Sequence, residues 1–140
     1  MIFVDTNILI DVATRDPDWA LWSLAQLEKA SLQGSLLIND VVYAELSVRY
    51  DSIERLDAFL DAARIEIAPM PRSALFLAGK AFAQYRKAGG SRSGVMPDFF
   101  IGAHAAVTDT PLLSRDARRY RTYFPTLTLI APDAPEAFRS

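Results

Sequence analysis

The chain has no cysteine and a single histidine, His104, among its 140 residues. The first absence excludes disulfides and thiolate metal sites, and one imidazole is too few for the usual zinc ligand sets, so a metal held here is held by oxygen. No run of about 18 apolar residues occurs, and the N-terminus lacks the basic flank and small-residue cleavage site of a secretory signal, so the expectation is a cytoplasmic protein without a spanning helix. A large excess of one charge is also missing. The net charge of -2 argues against coating nucleic acid by bulk electrostatics.

What is present is enough for a core. With 51% hydrophobic and 11% aromatic residues, nothing reads as disordered or low-complexity. A chain this long buries roughly 70% of the surface that its unfolded form exposes. One domain over residues 1–140 is expected, with the last ten or so residues, rich in proline, as a tail. Local charge departs from the average: Arg115, Arg118, Arg119 and Arg121 crowd one segment, and Arg86, Lys87 and Arg92 form a second group. Arginine suits bidentate phosphate contacts, although a solvated helix face explains either group equally well.

The pattern alternates short apolar strands with helices. Strands are expected at Ile2 to Val4, Leu36 to Ile38, Ile65 to Ala68, Pro111 to Ser114 and Leu127 to Ile130. Between them, Asp16 precedes a helix from Trp19 to Gln33 that Gly34 closes, and Asn39 or Asp40 caps a helix carrying Glu45. Asp51 or Ser52 caps the next, running toward Ala63. Ser73 is the expected cap of a helix reaching about Ala88, the loop GGSRSGVMP is expected to be the most flexible stretch, and Pro97 and Asp98 open a small-residue helix from Phe99 to Val107. The fold class is therefore α/β, a mostly parallel central sheet of about five short strands flanked by helices.

Acids recur where such a fold concentrates chemistry, beyond the carboxyl ends of strands. Asp5 ends the first strand, Glu45 lies on the helix after the second, Asp98 opens a helix, and Asp116 follows the fourth strand. Each has a plain structural explanation. Asp5, Asp98 and Asp116 suit turn or helix caps, and Glu45 precedes Arg49 by one turn in the favourable order for an ion pair. Yet four neighbouring carboxylates would repel by roughly 4 kcal/mol per close pair at an effective dielectric of about 20. A divalent cation relieves that repulsion, oxygen ligands favour magnesium or manganese, and such an ion activates water and polarises a phosphoryl oxygen. Gly102, one turn after Asp98, is expected to leave room for a metal, water or phosphate. His104 sits roughly 120° around the helix from Asp98 and reads as structural. Asp11 reads as a helix-face residue, and Ser114 is placed to contact the site through its hydroxyl.

VDTNILID, VVYAEL, MPDFFIGAHA and LLSRD, in this order, resemble the motifs of PIN domains, more narrowly of VapC toxins of toxin–antitoxin pairs. The likeness spans nearly the whole chain. It implies a PIN fold, a Mg²⁺- or Mn²⁺-dependent endoribonuclease acting on RNA such as tRNA or ribosomal RNA, dimerisation, and inhibition by a VapB-like antitoxin. Carried onto this sequence, it places metal-site acids at Asp5, Glu45, Asp98 and Asp116, with Asn7, Arg86, Ser114 and Arg115 as candidate RNA or antitoxin contacts. Ser114 stands where the family often has threonine and keeps the hydroxyl. Two rivals remain. An aspartyl-nucleophile phosphatase usually carries a second aspartate two positions on, where this chain has Asn7. A noncatalytic RNA- or partner-binding module would use the acids only as caps and ion pairs.

Overall fold

Ile2, Phe3 and Val4 are buried without relief, as expected of a strand covered on both faces of a parallel sheet. In the computed structural model, which describes residues 1–132, they form β1 (Ile2–Val4), and the residues read as a tail lie, from 133 onward, outside that range. The chain continues through α1 (Thr6–Thr14), α2 (Ala20–Gln33), β2 (Leu36–Asn39), α3 (Asp40–Ser47), α4 (Ile53–Ala62), β3 (Ile65–Ala68) and α5 (Arg72–Lys87). It then forms α6 (Met96–Val107), β4 (Leu112–Leu113), α7 (Arg118–Tyr123) and β5 (Leu129–Ile130). Every strand pair is parallel, in the order β3-β2-β1-β4-β5.

That order fixes where a site can form. Its first half winds outward through β2 to β3 and its second through β4 to β5, so the direction reverses between β1 and β4. At such a switch point the connections leave a crevice at the carboxyl ends of the strands. Phe3 pairs with Leu112 and Val4 with Leu113, which brings the residues that follow, Asp5 and Ser114, to the same edge. β3 lies at the sheet's margin, and its Glu66 and Ile67 are exposed. Among the described residues no helix is long and apolar enough to cross a membrane.

Three of the seven α-helices among the described residues begin at a side-chain cap. Asn39 accepts a hydrogen bond from the Val42 amide at 3.0 Å and Ser52 from the Arg55 amide at 3.2 Å, so these two side chains cap α3 and α4. β4 and β5 are shorter than the expected runs Pro111 to Ser114 and Leu127 to Ile130, and two further boundaries differ from the sequence-based expectation. Ser73 lies inside α5, which starts after Pro71, a residue with a preset φ of -72°. The glycine-rich loop is also shorter than expected, because a 3-10 turn at Ser93–Val95 leads directly into α6 at Met96. Pro97 permits this, since the first turn of a helix needs no amide donor there. Asp98 is thereby a first-turn residue and caps nothing: no side-chain cap bond closes α6.

Candidate active site

Asp5 follows β1 directly, with only 4% of its surface exposed. One carboxylate oxygen, Oδ1, accepts the Thr6 amide at 2.7 Å, which makes Asp5 the N-cap of α1. The other, Oδ2, accepts the Ser114 hydroxyl and the Tyr120 hydroxyl, each at 2.8 Å. All three donors are neutral. Burial raises the Asp5 pKa, the three hydrogen bonds offset part of that rise, and the nearby Glu45 charge adds to it. Tyr120 is itself pushed well above its ordinary value by burial and by Asp5, so it remains a donor.

Glu45 projects from α3 toward the same crevice, and its Oε1 accepts the Thr6 hydroxyl at 2.6 Å. The sequence-based alternative, an ion pair with Arg49, does not form. Asp98 arrives from the opposite side. Because α6 runs back into β4, its first turn lies at the carboxyl edge of the sheet. There burial, then the charge of Asp5, then that of Glu45 push Asp98 up to about 7, against the opposing pull of Arg119. The Arg119 guanidinium is bonded to Asp98 Oδ2 and is the cation that faces this group.

The side chain of Asp116 does not enter this trio. It is exposed, and its contribution is main-chain: its amide donates to Ser114 Oγ at 3.1 Å, and its carbonyl lies 3.2 Å from the same hydroxyl. It does not cap α7 either. Asn7 Nδ2 donates to Ser114 Oγ at 3.3 Å, and Asn7 Oδ1 accepts the Arg115 amide at 3.4 Å. The Arg115 side chain turns away to Asp11, at 2.7 Å. Arg86 is exposed near the end of α5, over the Phe82 ring, apart from the acids.

Two expectations meet different fates. The space beside Gly102 is filled rather than open: a Cβ there would stand 2.6 Å from the Phe124 ring and 3.0 Å from Tyr120. Gly102 thus lets α7 and Phe124 close onto α6, which seats Tyr120 against Asp5. His104 is structural in geometry. It is buried, packs edge-on to Phe3 with ring centres 4.9 Å apart, and shares a 3.2 Å hydrogen bond with Asn39. Burial lowers its pKa, which favours the neutral ring.

Sequence reasoning missed Thr6, Tyr120, the role of Arg119 and the burial of Asp11. Tyr120 left one trace: it is the sole aromatic inside the run Arg118–Arg121, which marks the inward face of a short helix.

The donor set is oxygen alone, which suits a hard cation such as Mg²⁺ or Mn²⁺. The elevated Asp98 reports the same need, because the chain itself compensates three neighbouring carboxylates with one guanidinium and neutral donors. Among the described residues no three acidic or imidazole side chains converge into a ready-made cage. Glu45 is drawn to Thr6 and Asp98 to Arg119. The residues therefore fit such an ion in chemistry, provided Asp98 exchanges its arginine partner for it.

Known proteins bear on this arrangement. The chain superposes on VapBC2 from Rickettsia felis bound to a DNA fragment from their promoter, with a TM-score of 0.71 and 23% identity over 95% of this chain and 100% of that one. VapBC-1 from nontypeable Haemophilus influenzae gives a TM-score of 0.69 at 18% identity, covering 94% of this chain and 98% of that one. A toxin-antitoxin complex from Klebsiella pneumoniae gives 0.57 at 19%, covering 93% and 96%. Such identities establish likeness of fold. No curated protein matches the sequence. The PIN domain model matches residues 2–125, from β1 to just past α7. PIN domains are typically nucleases and usually metal-dependent. A match over that much of the sequence, on an all-parallel sheet with acids at its switch point, means that the chain belongs to the PIN domain family.

Proposed function

We propose that the chain is a Mg²⁺- or Mn²⁺-dependent endoribonuclease, the toxin of a cytoplasmic toxin–antitoxin pair, held in check by a VapB-like antitoxin. The observation that carries this reading is that Asp5, Glu45 and Asp98 line the same switch-point crevice, near enough for their charges to act on one another, with oxygen donors alone around them. In this role Asp5 and Asp98 hold the ion most directly and Glu45 completes the set. Asp116 contributes from the rim, through water or through its hold on Ser114.

When bound, the ion activates water and polarises a phosphoryl oxygen, which is what phosphodiester hydrolysis requires. The chain's own residues do the orienting. Ser114 and Tyr120 fix one Asp5 oxygen, the Thr6 amide fixes the other, and the Thr6 hydroxyl aims Glu45. Outer partners of this kind set ligand direction and basicity. Asn7 steadies Ser114 and the Arg115 amide, so its part is positional.

Surface chemistry supports protein partners, both a second copy and an antitoxin. Leu21, Leu24 and Leu32 on α2 are 86%, 43% and 89% exposed on one side of the helix, around Glu28, and Phe76 on α5 is 68% exposed. Apolar surface of this kind marks interaction sites. The decisive experiment is cleavage of structured RNA by the purified chain with Mn²⁺, with Asp5→Asn and Asp98→Asn as controls. Both substitutions are expected to remove cleavage while circular dichroism is retained; cleavage at full rate by either would overturn the assignment. Mapping RNA ends after induced expression in cells then identifies the target.

A further inference from the structure

Beside the carboxylates, α7, the end of α5 and the segment leading into α2 enclose an open groove of about 910 Å³. Trp19, Tyr85 and Tyr123 supply its aromatic surface, and Arg115, Arg118 and Arg121 its charge. Among the described residues Asp116 is the one acid lining it.

The arginines divide into two kinds. Arg115 is committed to Asp11 and lies over the Trp19 ring at 5.4 Å, while Arg119, also in the wall, is committed to Asp98 and lies over Tyr85 at 5.9 Å. Each guanidinium thus borders an aromatic ring, and mixed cationic and aromatic surface of this kind suits an unpaired base. Arg118 and Arg121 are exposed and form no ion pair among the described residues. Two uncompensated guanidiniums beside aromatic surface, on a chain whose net charge is -2, make a local site for a polyanion with flat groups. An acidic peptide would satisfy the cations but not the aromatic faces, and a duplex hides its base faces by stacking.

The groove also joins the acids physically. Arg119 belongs to both, and Asp116, on the rim, brackets the Ser114 that holds Asp5. We propose that this groove seats a single-stranded stretch of the RNA substrate, with phosphates on Arg118 and Arg121 and unstacked bases against Trp19 and Tyr123, so that the strand runs on into the carboxylates. Its identity as RNA rests on the nuclease reading above.

The test is fluorescence anisotropy of a labelled single-stranded RNA of about a dozen nucleotides, within the span of known single-strand sites. The full chain carries Asp5→Asn so that binding is read without cleavage, and salt is varied from about 50 to 200 mM. Arg118→Ala with Arg121→Ala is expected to weaken binding at least tenfold and to reduce the slope of log affinity against log salt by about 1.4, about 0.7 for each phosphate released. Trp19→Leu is expected to weaken it about five- to 150-fold with the slope unchanged, the signature of lost stacking. Arg55→Ala, on α4 near the opposite edge of the sheet, should bind as the parent does. Parental affinity in the double variant overturns the proposal, and so does equal binding of the same sequence as a duplex. Polyglutamate binding as tightly as the RNA would assign the face to a protein partner instead. The two readings fail separately: RNA binding through Arg118 and Arg121 by a chain that cleaves nothing removes the nuclease and keeps the groove, whereas metal-dependent cleavage with binding indifferent to both arginines does the reverse.

Discussion

Two aspartates six positions apart flank and occupy α1, Asp5 and Asp11, and they are equally hidden, at 4% and 1% exposure. Asp11 receives the Arg115 guanidinium at 2.7 Å and the Ser23 hydroxyl at 2.8 Å. Asp5 receives only an amide and two hydroxyls. A buried carboxylate needs compensation, and a charged partner provides more of it than neutral donors do. At Asp11 the fold supplies that partner from its own sequence. At Asp5 it supplies direction without charge, and places two further acids nearby. The contrast separates a carboxylate that closes a structure from one arranged to receive a cation from outside.

Exchanging the two amino acids for asparagine breaks the comparison most directly. Asp5→Asn is expected to lower RNA cleavage by at least about a hundredfold, beyond the 10- to 100-fold typical of an outer partner. Its melting temperature should stay within a few degrees, because the amide carries no charge to be desolvated. Asp11→Asn should do the opposite. Breaking a fully buried pair costs about 3–5 kcal/mol, but the Arg115 side chain is 32% exposed and can turn to water, so a loss of about 1–3 kcal/mol is expected in urea unfolding. Cleavage should remain within about tenfold of the parent. A folded Asp11→Asn protein as inactive as Asp5→Asn would erase the distinction.

A finer probe is Tyr120→Phe. The ring stays in its packed place against Gly102, and only the hydroxyl that donates to Asp5 is removed. Loss of one such donor to a carboxylate costs about 1.5–3 kcal/mol of stability, whereas Mn²⁺ affinity by calorimetry, or cleavage, should fall about 10- to 100-fold. A stability change with metal affinity untouched would make Tyr120 a packing residue alone.

The sequence carried the strands and the acids more clearly than their partners. Ile2–Val4 is a short apolar run ended by Asp5 and Ile65–Ala68 an alternating one ended by Pro69, so their patterns are legible, and the alternation of elements already implies a parallel sheet. The start of α6 was harder to place, because Pro97 reads as a helix opener and yet sits one residue inside the helix. Gly102 departs from its expected role for a deeper reason. A missing side chain looks the same in sequence whether a ligand or a neighbouring ring fills the space, and here it is the ring of Phe124. Asp11 and Arg115 stand 104 positions apart, and nothing local announces their pairing. Asp116, likewise, ends a motif at the right strand edge, but the direction of its side chain is decided by the turn after β4.

The smallest effect expected is on the pH dependence of stability, and it sharpens the same contrast because the acids around Asp5 share a single guanidinium, that of Arg119. Asp98 rises from the ordinary 3.8 to about 7 in the folded chain, through burial first and then through Asp5. Below 3.8 the carboxyl is protonated in both states and its contribution to stability is complete. Between 3.8 and about 7 the unfolded chain releases the proton first, so stability falls with rising pH, and above that window no further change comes from this group. In chelator, the melting temperature of the parent relative to Asp98→Asn should therefore decline by a few degrees across that window, the subtraction removing the other carboxylates. Adding Mn²⁺ above pH 7 should reverse the decline in the parent and have a smaller effect in Asp98→Asn, since a ligand stabilises the state that binds it. A flat difference curve in chelator would mean that Arg119 already balances Asp98, which would move this carboxylate to the side of Asp11 and leave Asp5 and Glu45 to hold the ion without it.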